Sequence, residues 1–261
     1  MSQIRHPAVA GLFYPDKPDI LTRNIQGYLD AAPDPVAIPK ALIVPHAGYV
    51  YSGPVAASAY RHLYGLRDRI RTVVLLGPAH RVGFLGLAVP NSEAFETPLG
   101  VIPIDRRSID RIIGLRQVVA LDAAHQQEHS LEVQLPFLQV LLDDFNLVPL
   151  VVGDAEAGEV AEVLEQLWGG DETLVVISSD LSHYHDYQAA RRIDQATSDA
   201  IVNLHPEKIG YDQACGRSPI NGLLTLARQK NLTVEVVDLR NSGDTAGSKD
   251  QVVGYGAYVV H

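Results

Sequence analysis

One cysteine in 261 residues excludes an intramolecular disulfide framework, and nothing points to an oxidising compartment. Positive charge is scarce as well: 21 Lys+Arg stand against 31 Asp+Glu, a formal net charge of −10. No dense Lys/Arg block occurs, so neither nucleic acid nor an anionic membrane is an expected partner, since both need a concentrated basic surface. No stretch approaches the roughly 18 unbroken apolar residues of a membrane span, and the opening MSQIRHPAVAGLFYPDKP lacks a long apolar signal core. A cytoplasmic protein is expected. Three sequence motifs are also missing. Without G-x-G-x-x-G after the first strand a dinucleotide site is disfavoured, without G-x-x-x-x-G-K-[ST] there is no phosphate loop, and without G-x-S-x-G serine hydrolysis is unattractive.

What the chain does have is apolar material, 46% of residues, and ten histidines. That composition excludes intrinsic disorder. Short aliphatic runs bounded by Gly, Pro or polar residues predict strands at Ala41–Val44, Thr72–Leu76, Phe84–Val89, Leu147–Val152, Thr173–Ile177, Leu232–Leu239 and Val252–Val260. Helical patterns fall between them at Ile20–Ala31, Pro54–Leu63, Leu131–Leu142, Ala157–Leu167, Tyr187–Leu204 and Ile220–Gln229. Apolar strands that do not alternate, separated by helices, predict an α/β fold: one domain over 1–261, with a mainly parallel or mixed sheet flanked by helices. The last two strands are expected to form an antiparallel hairpin or edge pair. No repeat or linker divides the chain.

Three predicted strands end in chemistry. ALIV stops at Pro45 and delivers His46; TVVLLG stops at Pro78 and delivers His80; TLVVISSD delivers Ser178, Ser179 and Asp180, with His183 and His185 following. Proline cannot donate to a sheet ladder and so marks where a strand leaves it. Ligands of open α/β sheets bind at the carboxyl ends of strands, so these residues are expected to converge. Taken singly, each could be a turn or a helix cap. A fourth cluster, HQQEHSLEVQLPFL, holds His125, Glu128, His129 and Glu132. It is either a general acid/base site, with Glu128 fixing the tautomer of His129, or a charge-paired helix start opened near Ser130. His6, His62, His205 and His261 have no partner pattern and are expected at the surface. Two or three imidazoles with a carboxylate suit non-haem iron, and the same donors suit zinc and water activation; a metal-free acid/base site is the further alternative.

RHPAVAGLFYP, VPHAGYVYSG, GPAH, EHSLEVQLPFL, SSDLSHY, CGRSPI and NSGDTAG…VVGYGAYV run in order from Arg5 to Val259 and together resemble the MEMO family. The resemblance implies a fold similar to class III extradiol ring-cleaving dioxygenases. It implies metal-binding roles for His46 and His80, with Asp180 and His183 as further cleft or metal residues, and a catalytic role for His129, His183 and Asp180. A divalent metal is implied, Fe(II) first, with Zn or Cu as alternatives. In animal members a cysteine in the loop before the last strand joins the two histidines at the metal. Here that loop, NSGDTAGSKD, has none; Cys215 lies in the separate CGRSPI segment and is not expected to replace it, being either a buried small residue or a cleft residue. Asp244 of the loop is either an oxygen donor or a turn residue. Three functions follow: a metal-dependent dioxygenase-like oxidoreductase on a small molecule, an adaptor that binds a peptide or protein in the cleft, and a metal-assisted hydrolase. The resemblance also suggests an AMMECR1-like protein and a radical SAM enzyme as partners. Arg217, Tyr49, Tyr51 and Tyr184 either line a pocket or pack beneath it.

Overall fold

The computed structural model describes residues 4–261. In chain order it runs β1 (Ile4–Arg5), α1 (Pro18–Ala31), β2 (Ala41–Val44), α2 (Tyr49–Tyr60), β3 (Thr72–Pro78), β4 (Leu87–Val89), β5 (Ala94–Thr97), β6 (Gly100–Pro103) and α3 (Arg106–Ile112). It continues with β7 (Val118–Ala120), α4 (Asp122–Gln126), α5 (Leu135–Leu141), β8 (Asn146–Val152), α6 (Ala157–Leu167), β9 (Thr173–Ser178) and β10 (His183–His185). The last elements are α7 (Tyr187–Val202), α8 (Arg217–Gln229), β11 (Val234–Asn241), α9 (Ser242–Thr245) and β12 (Val252–Val260).

The main sheet has the order β10-β12-β2-β9-β3-β8-β4-β7, with β11 paired to β12. Its centre, β2-β9-β3-β8, is parallel, and these four strands are almost wholly buried because helices cover both faces. The outer pairings β12-β2 and β4-β8 are antiparallel, as is the terminal β11-β12 pair. The α/β expectation therefore holds, with a mixed sheet. A second sheet, β1-β5-β6, is built from strands of two to four residues, too short to show a period in sequence. No helix among the described residues is long and apolar enough to cross a membrane.

Three local expectations need correction. The helix predicted from Pro54 starts at Tyr49, with Pro54 inside it. That proline removes the N–H that would otherwise bond to the Val50 carbonyl, in the second turn of the helix. The helix predicted over Leu131–Leu142 is a tight turn over Glu132–Gln134 followed by α5, which carries Pro136 in its first turn. His62 is not at the surface: it is buried, its Nε2 accepting from the Val36 N–H and its Nδ1 donating to the Ser58 carbonyl.

His125 is also buried, 2% exposed, with Nε2 on the Ala88 carbonyl. Burial pushes its pKa down to about 4, and the nearby Arg5 charge acts the same way. The unfolded chain binds this proton more tightly, so the stabilisation is full above about pH 6.5 and lost as pH falls toward 4, about 3 kcal/mol in all. Urea unfolding at pH 7 and pH 4.5 should show a larger acid loss in the wild type than in His125→Gln. Equal losses would contradict the assignment.

Candidate metal-binding cleft

Strand register brings the site together. Val44 of β2 pairs with Ser178 of β9, and Leu76 of β3 pairs with Ile177, so the residues just beyond the three strands emerge side by side. The imidazole centroids of His46 and His80 lie 5.2 Å apart, those of His46 and His129 5.5 Å, and those of His80 and His129 4.7 Å, stacked. His129 arrives from the EHSLE segment, which can approach because residue 77 is glycine: a Cβ there would meet the Ser130 Oγ at 2.8 Å.

The hydrogen bonds decide which ring nitrogen of His46 and of His80 carries a proton. His46 Nδ1 is 2.9 Å from the Ser178 Oγ, whose own hydrogen goes to the Ser130 carbonyl at 2.6 Å. Ser178 also accepts from the Gln134 amide at 2.7 Å. With its hydroxyl proton committed, Ser178 can only accept from His46, so Nδ1 is protonated and the lone pair sits on Nε2. His80 Nδ1 lies 2.9 Å from the Glu128 carboxylate, which fixes the same tautomer. Glu128 is buried and also accepts from the backbone N–H groups of His80, His129 and Ser130. Burial alone would raise its pKa, but the bonds from His80 and these amides outweigh that and hold it at about 2. Burial, with the neighbouring imidazoles, drives the His46 pKa well below its ordinary value, and burial takes His129 down to about 4. Both are neutral at pH 7.

Cys215 reaches this site, the cleft position of the two the sequence left open, although it was not expected to stand in for the final-loop cysteine. Its Sγ is 3.3 Å from His46 Nε2 and accepts from the Asp180 N–H at 3.3 Å. The neighbouring Gly216 explains the approach: its N–H donates to the Ser179 Oγ at 2.9 Å, and a Cβ on it would come within 2.6 Å of the Ser179 Cβ. Glycine beside the cysteine in CGRSPI was the available sequence signal. Burial, reinforced by Asp180, pushes the thiol up to about 12, so it is protonated when no ion is bound.

Among the described residues, two groups of side chains could hold a metal ion: His46, His80 and Cys215, and His80, Glu128 and His129, each with donor atoms within 4.8 Å of one another. In the first group the Nδ1 of each imidazole is committed to Ser178 or Glu128, which leaves Nε2 as the atom to face an ion, and the remaining donor is sulfur. That set fits a divalent first-row ion, whose ligands sit about 2.0–2.3 Å away and so roughly 3.3–3.7 Å from each other. In the second group Glu128 already serves four N–H donors. Asp180 and His183 belong to neither group. The Asp180 carboxylate accepts the His46 N–H at 2.7 Å, and burial raises its pKa to about 7. His183 lines the cleft, and burial lowers its pKa. Asp244 takes the turn role, capping α9 through the Asn241 N–H and accepting from the Tyr187 hydroxyl.

The cleft has a volume of about 680 Å³. Phe13, Tyr51, Tyr184 and Tyr255 supply aromatic surface, and Arg81 is its cation. Tyr49 instead packs beneath it, buried, with its hydroxyl on the Val133 carbonyl. Beneath the EHSLE segment, Arg5 bonds the His125 and Glu128 carbonyls and pairs with Glu132, which also accepts from the Ala8 and Val9 N–H groups and the Tyr14 hydroxyl. Arg5→Leu leaves the fully buried Glu132 without its counter-charge and should cost about 3–5 kcal/mol, measured by urea unfolding. A loss below about 1 kcal/mol would show that the three remaining bonds suffice.

An α/β sheet with histidines just beyond its central strands and a thiol brought up beside them defines a protein with a candidate metal-binding cleft. The chain belongs to the Memo-like protein family, which it matches over residues 5–259. It is 35% identical over 272 residues to a MEMO1 family protein of Methanosarcina barkeri, covering 98% of this chain and 100% of that one. It is 36% identical to a MEMO1 family protein of Aquifex aeolicus, covering 97% of each. A crystal structure of an uncharacterized Escherichia coli K12 protein aligns with a TM-score of 0.48 at 14% identity, covering 84% of this chain and 99% of that one.

Proposed function

We propose that the protein is a metal-dependent oxidoreductase in which His46, His80 and Cys215 hold a divalent ion, iron(II) in the first instance, at the floor of the main cleft, and that it oxidises a small electron-rich molecule with dioxygen. The observation that carries this reading is the pair of committed tautomers, which leave both Nε2 lone pairs free beside a sulfur. When bound, the ion would supply redox and Lewis-acid chemistry.

The chain's own residues bind and move protons. Phe13, Tyr51 and Tyr255 offer faces for a planar ring, and Arg81 offers charge for an acidic substituent. His129, neutral and stacked on His80, accepts a substrate proton; Glu128, 3.3 Å from its Nδ1, then stabilises the imidazolium. Asp180 acts on His46 through the backbone, as a positioning group, and His183 is a second proton acceptor at the wall. A sulfur donor also suits zinc, which favours metal-assisted hydrolysis as a second reading.

Protein purified without oxygen, analysed for metal and then assayed for oxygen uptake on a panel of electron-rich phenols, tests this. Metal retention and uptake that both disappear in His46→Ala support the oxidoreductase. Turnover without oxygen would move the assignment to hydrolysis. No bound metal and no effect of the substitution would end both readings.

A further inference from the structure

A second cleft of about 600 Å³ lies on the other side of Cys215. Phe84, Leu85, Val152 and Pro219 give it apolar walls, and Arg217 is its cation. The Cys215 thiol lines this cleft while its Sγ lies 3.3 Å from His46 Nε2, so the thiol forms part of the partition between this cleft and the histidine cluster.

Arg217 is an arginine without a protein partner. Among the described residues its side chain makes no hydrogen bond or ion pair, and its Nε is buried with nothing to donate to. The guanidinium carbon instead sits 3.2 Å from the ring centroid of Tyr211. The acid nearby, Asp154, lies 3.5 Å from the Tyr211 hydroxyl and forms no ion pair with Arg217. A guanidinium held flat on an aromatic face keeps its planar fork for a ligand, and that fork matches an oxyanion.

We propose that this second cleft binds a small organic monoanion, a carboxylate on an apolar body, with Arg217 as its anchor. One unpaired cation beside Asp154 suits a single negative charge better than the double charge of a phosphate, and the apolar walls take up a hydrocarbon body. The site is independent of any metal. It places an occupant against Cys215 without passage through the main cleft, as a second substrate or an effector would require.

The full chain, stripped of metal by a chelator, is titrated with phenylacetate and separately with inorganic phosphate. Binding is followed by calorimetry, and occupancy by the rate at which iodoacetamide alkylates Cys215, the chain's only cysteine. Phenylacetate should slow alkylation of Cys215, which lies in the wall of this cleft, severalfold and saturably, whereas phosphate should not. Arg217→Gln should weaken binding at least tenfold and abolish the protection. Leu85→Glu, at a position 79% exposed where the fold is not at risk, should weaken it at least fivefold by adding a like charge. Arg81→Gln, in the other cleft, should leave the protection of Cys215 unchanged. Wild-type protection in both Arg217→Gln and Leu85→Glu would overturn the proposal, as would loss of protection in Arg81→Gln. Phosphate binding as tight as phenylacetate would overturn the carboxylate assignment.

Discussion

Glu128→Ala is expected to lower stability by about 4 kcal/mol, on the order of 10 °C in Tm, while Glu128→Gln costs less stability but still weakens metal binding 10- to 100-fold. The difference follows from what the carboxylate does. It accepts from the His80 N–H and Nδ1–H and from the amides of His129 and Ser130, so alanine leaves four donors buried or half-buried without a partner. Glutamine restores the volume and one acceptor oxygen. Its amide nitrogen, however, faces donors, and His80 loses the anion that keeps its proton on Nδ1. A proton moved to Nε2 removes the lone pair that would face an ion. Urea unfolding and a competition titration against a metal chelator measure the two effects separately. If Glu128→Gln binds metal as the wild type does, Glu128 is only a structural clamp.

The second large effect concerns the donors themselves. Structural zinc sites gain about 10–16 kcal/mol from four ligands, so deleting one donor should cost roughly 3 kcal/mol, about 100-fold in affinity. His46→Ala, His80→Ala and Cys215→Ser should each show this loss. They differ in pH dependence. The imidazole of His46 is neutral at pH 7 and has no proton to lose, whereas the thiol is held up to about 12 and must ionise to bind. Apparent affinity should therefore rise about tenfold per pH unit between pH 6 and 8, and this slope should flatten in Cys215→Ser. An unchanged slope in that variant would place the released proton elsewhere.

Much of this arrangement was legible in the sequence, and the reasons for the rest are physical. The parallel core and the approach of His46, His80 and Asp180 could be inferred because buried strands must end in residues that leave the ladder, and prolines 45 and 78 mark those ends. The role of Asp180 could not. A carboxylate next to histidines reads as a ligand, but here it is turned to the His46 backbone. Glu128 was weighed as the partner of His129, yet its side chain bonds the backbone N–H and the ring of His80, 48 positions away, more closely than the His129 ring. Cys215 stayed open between a cleft residue and a buried small one because it follows α7 and belongs to no strand end; a close backbone approach at Gly216 brings it in. The start of α2 was misplaced because proline more often opens a helix than sits inside one.

The central claim is that His46, His80 and Cys215 form one donor set. Titrating metal-free protein with Co(II) under anaerobic conditions and recording the absorption spectrum tests it most directly. Because Cys215 is the only cysteine, any thiolate-to-cobalt charge-transfer band in the near ultraviolet must come from it. The expected result is a saturable one-to-one band that vanishes in Cys215→Ser and in His46→Ala. Cobalt bound with no such band, or no cobalt bound at all, would contradict the account.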